Sequence, residues 1–246
     1  MIYKTVNEKF DNFLINIKKY FCKDTNVILF KKRNTIKIIE FTNTKYVVKS
    51  FKIPHLLNKI VYKFFRESKA KRSYENSVKL LELGINTPKP IGYSEFSSLF
   101  FFKESFYVSE FFDYDFEIRA LFKDKNFSDR ENILKEFTKF SVNLHNKGVY
   151  HIDYSPGNIL IKKVNGIYIF NIIDVNRMKF LDFDIDLRMK SMSKLTSNID
   201  DNKLILKYYA EISNIDLSIL EKKLEFHLKA QAKYLKNKKQ FKKIKG

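Results

Sequence analysis

Between His151 and Leu160 an Asp is followed five positions later by an Asn, with a His two positions ahead of the Asp and Pro156-Gly157 between. Pro-Gly makes a sharp turn, so the side chains of Asp153 and Asn158 can face one site from a single short loop. The apolar Ile159, Leu160 and Ile161 read as a strand leaving that loop. A second constraint follows at once. Residues 159–163 and 167–173 are two β-rich runs separated by Val164, Asn165 and Gly166, and Asn-Gly is the strongest short hairpin signal. The hairpin delivers Asp174 at its end. Asp, Asn and Asp are therefore expected on a loop and an adjoining hairpin, a strongly limiting arrangement for any fold.

The spacing Asp-x4-Asn is that of a kinase catalytic loop, in which the Asp accepts the proton of the attacking hydroxyl and the Asn holds magnesium against the nucleotide phosphates. Asp153 is thus the expected catalytic base, and Asn158 and Asp174 the expected magnesium ligands. Phosphoryl transfer also needs a cation on the phosphates. Lys49, on the β-branched and aromatic run Tyr46–Phe51, occupies the place of the kinase strand lysine. Its partner should be a Glu on the helix expected over Ser68 to Leu83, which Gly84, Pro88 and Pro90 terminate. Ala70, Tyr74, Ser77, Val78 and Leu81 form the expected buried stripe. Glu75 and Glu82 lie along one edge of it; Glu75, nearer the middle, is the first choice and Glu82 the second.

The stretches 69–76, 83–92, 151–160 and 173–177, with Val48–Pro54 before the helix, resemble the bacterial lipopolysaccharide kinases, which phosphorylate Kdo and heptose of the lipid A inner core and belong to the protein-kinase-like superfamily. The resemblance spans about residues 26–190. It implies an α+β, bilobal protein-kinase-like fold with a small β-rich N-lobe and a mainly helical C-lobe, and a phosphotransferase that uses ATP and Mg2+. It assigns Asp153 as base, Asn158 and Asp174 to magnesium, Lys49 and Glu75 to the phosphates, and His151 to bracing the loop.

Departures from ordinary protein kinases favour a small-molecule or glycolipid acceptor. Ser155 replaces the usual Lys two positions after the base. Val175-Asn176 replaces Phe-Gly after Asp174, no Ala-Pro-Glu follows, and only 72 residues remain. Residues 26–48 contain no glycine, so a Gly-rich phosphate lid is absent. Lys32 and Arg33, within Lys31–Thr35, are expected to meet the phosphates with side chains instead. Glu110 and Phe112, in Ser109–Phe112, sit where a hinge would offer backbone groups to adenine.

The N-lobe is expected at 1–112, opening with an amphipathic helix at 7–21, then strands near 26–30, 35–41 and 45–51, a helical region at 55–83, and strands near 92–96 and 99–112. The C-lobe is expected at 113–246. Ser128 and Glu131 have capping-box spacing and open a long helix to Asn146; His145 on it reads as a structural residue. Helices follow near 203–212 and 216–236. Arg177 and Arg188, after Asp174, are candidates for acceptor recognition.

With 246 residues and 44% hydrophobic content the chain can bury a sizeable core. One cysteine allows no internal disulfide, and nothing at the N-terminus resembles a secretory leader, so a cytoplasmic location is expected. No apolar stretch approaches a membrane span. The net charge is +19, with Lys far more frequent than Arg, a bias that AT-rich coding alone would produce. Its distribution is nonetheless uneven: eight lysines and no acidic residue fall between Phe226 and Gly246, and a second basic stretch runs through Lys59, Lys63, Arg66, Lys69, Lys71 and Arg72. A lipid A–inner core glycolipid substrate at an anionic inner-membrane surface fits this charge. Nucleic acid is a minor alternative, since no zinc-finger, RNA-binding or helix-turn-helix pattern accompanies the charge. Rival readings are a heptose, small-molecule or protein kinase, and a non-catalytic scaffold of the same fold.

Overall fold

The structure is a computed structural model that describes residues 1–32, 34–51, 67–98 and 101–245, with side chains up to Asn237 and at Gln240. Arg33, the stretch 52–66 with Lys59, Lys63 and Arg66, and the pair Leu99-Phe100 lie outside the described residues. The chain forms two compact units: Met1–Asp113 with Asn171–Arg177, and Tyr114–Phe170 with Met178–Gly246.

In the first unit six antiparallel strands, β1 (Ile2–Thr5), β2 (Val27–Lys31), β3 (Thr35–Phe41), β4 (Thr44–Phe51), β5 (Pro90–Ser97) and β6 (Phe102–Glu110), make one sheet in the order β1-β5-β6-β4-β3-β2. The sequence gives no signal for β1, because four residues are too few to show a period. The opening helix is broken into α1 (Asp11–Ile15) and α2 (Ile17–Phe21). Asn16 at the break donates through Nδ2 to the Asn12 side-chain oxygen (2.8 Å) and carbonyl (3.1 Å), the local competition that makes Asn a poor helix-interior residue. The apolar face survives the break: Phe10, Phe13, Leu14 and Ile17 pack with Ile39, Tyr46, Val48, Ile91, Phe106 and Val108.

Helix α3 (Lys69–Glu82) starts at Ser68, whose hydroxyl accepts from the Lys71 amide (3.0 Å). It stops at Gly84, left-handed at φ 65, with the Ile85 amide bonded back to the Leu80 carbonyl (2.8 Å). Its buried residues are Ala70, Ser73, Tyr74, Ser77 and Leu80, whereas Leu81 is exposed. The packed face is therefore turned by roughly half of a residue's ~100° step from the expected stripe. Two serines make this tolerable: Ser73 Oγ donates to the Lys69 carbonyl (2.8 Å), and Ser77 Oγ shares a hydrogen bond with Tyr107 Oη (2.8 Å). Residues 171–177, expected with the C-lobe, belong to the first unit instead. The Ile172 amide donates to the Asn86 carbonyl (3.0 Å), Thr87 Oγ1 to the Ile172 carbonyl (2.7 Å) and Asn76 Nδ2 to the Val175 carbonyl (2.7 Å).

The second unit is built on α5 (Arg130–Asn146), following β7 (Phe116–Glu117) and α4 (Arg119–Lys123). The Ser128–Glu131 capping box does not form. The cap position is Asp129, left-handed at φ 57 and without a side-chain cap bond. Its carboxylate instead accepts from Tyr168 Oη (2.7 Å) and Asn132 Nδ2 (3.2 Å), while Glu131 accepts from Tyr208 Oη (2.6 Å). Strand β8 (Val149–His151) pairs with β11 (Met178–Phe180). β9 (Ile159–Val164) lies between β7 and β10 (Ile167–Ile172). The β9–β10 turn has Asn165 at φ 50 and Gly166 at φ 81, the double left-handed geometry for which Asn-Gly is suited. Helices α6 (Ile185–Met192), α7 (Ile199–Ser213) and α8 (Leu217–Lys245) complete the unit.

His145 is buried on α5, with Nδ1 hydrogen-bonded to Tyr209 Oη (2.9 Å), which Arg188 Nη1 also reaches (3.3 Å). Burial, aided by the Arg188 charge, pushes its pKa down to about 3. Because the folded value lies below the unfolded one, the unfolded chain takes up the extra proton. The stability is complete above about pH 6.5 and is lost as pH falls toward 3.

Two expectations follow. Lowering the pH from 7 to 5 should cost about 2 kcal/mol through this group, and in urea unfolding His145→Asn should show a weaker decline over that interval than the wild type; equal slopes would count against it. A Cβ at Gly92 would collide with the Lys4 carbonyl oxygen and lie 2.6 Å from Leu14 Cδ1. Gly92→Ala should accordingly destabilise the fold by about 2 kcal/mol, measured by the same method.

Candidate active site

The residues singled out in the sequence fall into two groups, one on each unit. On the first unit, Lys49 lies on β4 between Ile36 of β3 and Tyr107 of β6, near the middle of the sheet, where its side chain is only 12% exposed. Its ammonium forms an ion pair with Asp174 Oδ1 and lies 5.3 Å from the centroid of the Phe51 ring. Asp174 itself sits at φ 59. A non-glycine residue in the left-handed region persists only where its surroundings hold it there. Here the restraints are Lys49, the Asn176 Nδ2 that donates to the same Oδ1 (2.8 Å), and Asn76, which fixes the next carbonyl. The sequence assigns no supporting role to Asn76 or Asn176, since a mid-helix Asn and an Asn after a strand carry no signal of their own.

The expected Lys49–Glu75 pair is not formed. Glu75 is paired with Lys71 (3.7 Å), which is held more closely by Glu67 (2.8 Å). The pKa of Lys71 is raised chiefly by its bond to Glu67. The cause is the turn of α3 described above: with Ser73, Tyr74 and Ser77 against the sheet, Glu75 is carried to the outer side, 40% exposed. The group that meets Ser77 from the sheet is the phenol of Tyr107, the cross-strand neighbour of Lys49. Burial pushes its pKa up to about 12, so it stays neutral.

The expected adenine contacts are partly committed to the fold. The Glu110 amide donates to the Lys89 carbonyl (2.9 Å) and the Phe111 amide to the Lys45 carbonyl (3.1 Å). Those two N–H groups are not available to a base; Phe112 follows them, half-buried. In the β2–β3 turn the Lys32 amide donates to the Asn34 carbonyl (3.1 Å) and Lys32 is exposed.

On the second unit, the catalytic-loop candidates are brought together. His151 ends β8, almost wholly buried, and its Nδ1 accepts from the Asp153 amide (3.0 Å). This is the bracing role expected of it. Asn158 Nδ2 donates to the Asp153 carbonyl (2.8 Å), the Ser155 amide donates to the same carbonyl (2.6 Å), and the Asn158 amide donates to the Ser155 carbonyl (2.9 Å). Pro156 opens the short 3-10 turn Pro156–Asn158. Between Asp153 and Ser155 the chain drives Tyr154 into the core, fully buried, with its hydroxyl hydrogen-bonded to Ser141 (2.8 Å). Lys194 Nζ donates to the Ile152 carbonyl (2.7 Å) and Tyr150 Oη (3.1 Å). Tyr154 and Lys194 are the supports that sequence reading missed. Arg188 is tied to Asn146 Oδ1 (2.9 Å) as well as Tyr209, while Arg177 is exposed at the end of the turn Val175–Arg177.

Asp174 on the first unit and Asn158 on the second each carry a hard oxygen donor of the kind magnesium takes. The side-chain nitrogen of Asn158 is engaged with its own loop, so Oδ1 is the atom that would meet a metal. The described residues contain no cluster of three or more His, Cys, Asp and Glu, and a magnesium site of this type needs none.

An antiparallel sheet carrying a central Lys, followed by a largely helical unit with an Asp-x4-Asn loop, defines a protein-kinase-like phosphotransferase. A family model described as "Lipopolysaccharide kinase (Kdo/WaaP) family" matches residues 32–212, and the chain belongs to that family. It is thus a phosphotransferase acting on a sugar hydroxyl of lipopolysaccharide. Among solved structures, WaaP in complex with acyl carrier protein aligns over 96% of this chain and 99% of that one, at 15% identity and TM-score 0.66, and shares the fold. WbdD with the kinase inhibitor LY294002 aligns over 81% and 44% at 15% identity and TM-score 0.47. The PknI kinase domain of Mycobacterium tuberculosis aligns over 78% and 74% at 10% identity and TM-score 0.46. No curated protein matches the chain in sequence.

Removing the Asn176 amide should loosen Asp174 without touching the rest of the sheet. Asn176→Ala is expected to weaken the magnesium dependence of ATP-induced thermal stabilisation by about 10- to 100-fold. An unchanged magnesium titration would show that Asn176 does not support Asp174 as a metal ligand.

Proposed function

We propose that this chain transfers the γ-phosphoryl group of ATP to a hydroxyl of Kdo attached to lipid A. The observation that carries this reading is the Asp153 loop. His151, Asn158, Tyr154 and Lys194 hold its backbone from four directions, and the loop lies within the span of the lipopolysaccharide kinase match. In this reading the acceptor hydroxyl gives its proton to the Asp153 carboxylate as its oxygen bonds to the γ-phosphorus, and ADP leaves. Lys49 positions the phosphates, with Lys32 and Arg33 contributing side-chain cations in place of a Gly-rich lid, while Glu75, paired with Lys71, takes no part in holding Lys49. Glu110 and Phe112 border adenine. Asn158 and Asp174 would hold magnesium, which would neutralise charge on the phosphate oxygens. Most of the acceleration comes from positioning and electrostatics.

Such an acceptor is anchored in a leaflet, so a peripheral contact with an anionic inner-membrane surface on its cytoplasmic face belongs to the same reading. Heptose is the alternative acceptor.

The test is transfer of label from ATP, with magnesium, to purified Kdo–lipid A and to a heptose-extended acceptor. Asp153→Ala should lower transfer by about 10²- to 10⁴-fold while ATP still raises the melting temperature. Undiminished transfer in that variant would remove Asp153 as the base. Label in the heptose-extended acceptor alone would replace Kdo by heptose.

A further inference from the structure

Helix α8 changes character along its length. Up to Gln231 it packs through Leu220, Leu224, His227 and Leu228, buried or half-buried; from Ala232 to Asn237 every residue is exposed. The helix nevertheless continues to Lys245. Its outer surface is not simply polar. Phe226 and Tyr234 are 65% and 63% exposed, and their spacing of eight residues places them within about 80° of one another on the helix. Ala230 falls between them. The apolar stripe lies away from the packed face marked by Leu220 and Leu224.

Lysines flank the stripe. Lys229, Lys233 and Lys236 are exposed along one side, and the chain from Phe226 to its last residue carries eight lysines against no acidic residue. The AT-rich bias that favours Lys throughout the chain does not by itself exclude Asp and Glu from one segment or align aromatic residues on one helical face. Apolar stripe and lysine border together are the signature of a helix lying in a lipid interface, with rings among the acyl chains and ammonium groups at anionic headgroups. A nucleic acid backbone would satisfy the charges and leave the rings in water. No described helix is long and apolar enough to cross a membrane, so a helix of this kind lies on the surface rather than spanning it.

We infer that the C-terminal half of α8, from Phe226 onward, is an anionic-membrane-binding helix that carries the enzyme to the surface where its acceptor is anchored. The inference rests on the proposed membrane-anchored acceptor for its purpose, but the binding stands apart from catalysis and is read without ATP or acceptor. Each surface-proximal lysine should strengthen binding roughly fivefold at moderate ionic strength.

The experiment is flotation of the full chain with vesicles of phosphatidylcholine alone or mixed with phosphatidylglycerol. Variants are Lys233→Glu/Lys236→Glu and Phe226→Ser/Tyr234→Ser, all at exposed positions, with melting temperatures recorded to establish folding. The expected result is binding to the mixed vesicles only, weakened at least tenfold in each double variant. Phosphoryl transfer to a detergent-dispersed acceptor should remain unchanged. No binding by the wild type, or equal binding by wild type and variants, would overturn the inference whatever the kinase assay gives. Capture by immobilised polyglutamate but not by anionic vesicles would likewise overturn it, in favour of an acidic protein partner. Vesicle binding without transfer to Kdo–lipid A would leave the inference standing and reject the acceptor instead.

Discussion

The ion pair between Lys49 and Asp174 joins two segments 125 residues apart in the chain, and much of the first unit is organised around keeping it. Asp174 is half-turned into a backbone conformation that costs about 1–3 kcal/mol, so it needs neighbours that hold it. Asn176 bonds its carboxylate and Asn76 bonds the following carbonyl. Asn86 and Thr87 fix both polar groups of Ile172 just before it. A seven-residue segment is thus assembled into a sheet-and-helix unit from which it is remote in sequence. The same Lys cannot serve Glu75, which the packing of α3 has carried outward. In this structure the strand lysine is oriented by the residue assigned to magnesium, and not by a helix carboxylate.

The Asp153 loop shows the same economy of means in another form. Its side chains divide by partner: Tyr154 bonds Ser141 in the core, and Asn158 turns back onto the loop's own carbonyl. Buried polar atoms left without partners are expensive, and a tight loop of this kind has many backbone groups to satisfy. His151 accepts the Asp153 amide and Lys194 donates to the Ile152 carbonyl, so the backbone leading into Asp153 is fixed.

What the sequence discloses depends on how local the determinant is. The Asn165-Gly166 turn and the Gly84 stop are each set by a few neighbouring residues, and each stands where expected. So do the strands that flank Lys49 and the loop from Asp153 to Asn158. The failures arise where a distant partner decides. Ser73 reads as a surface residue until the Lys69 carbonyl is seen to satisfy it, and that misreading turns the expected stripe enough to misplace Glu75. Ser128 and Glu131 have capping spacing, but Tyr168 and Tyr208 claim Asp129 and Glu131 for other bonds. Lys194 is one of 40 lysines until it is found against a carbonyl 42 residues away.

The long helix of the second unit buries Thr138, Ser141 and His145 on the side that carries Leu134 and Phe137. Each has a distinct bond: Thr138 to the Leu134 carbonyl (2.7 Å), Ser141 to both the Phe137 carbonyl and Tyr154, and His145 to Tyr209. A face of leucines alone can slide along its axis by a turn and find another tolerable packing. This one cannot, because sliding would strand a hydroxyl and an imidazole in the interior at once. The polar residues act as an index mark, fixing the longitudinal register of the helix and, through Tyr154, the height at which the loop from Asp153 to Asn158 is set.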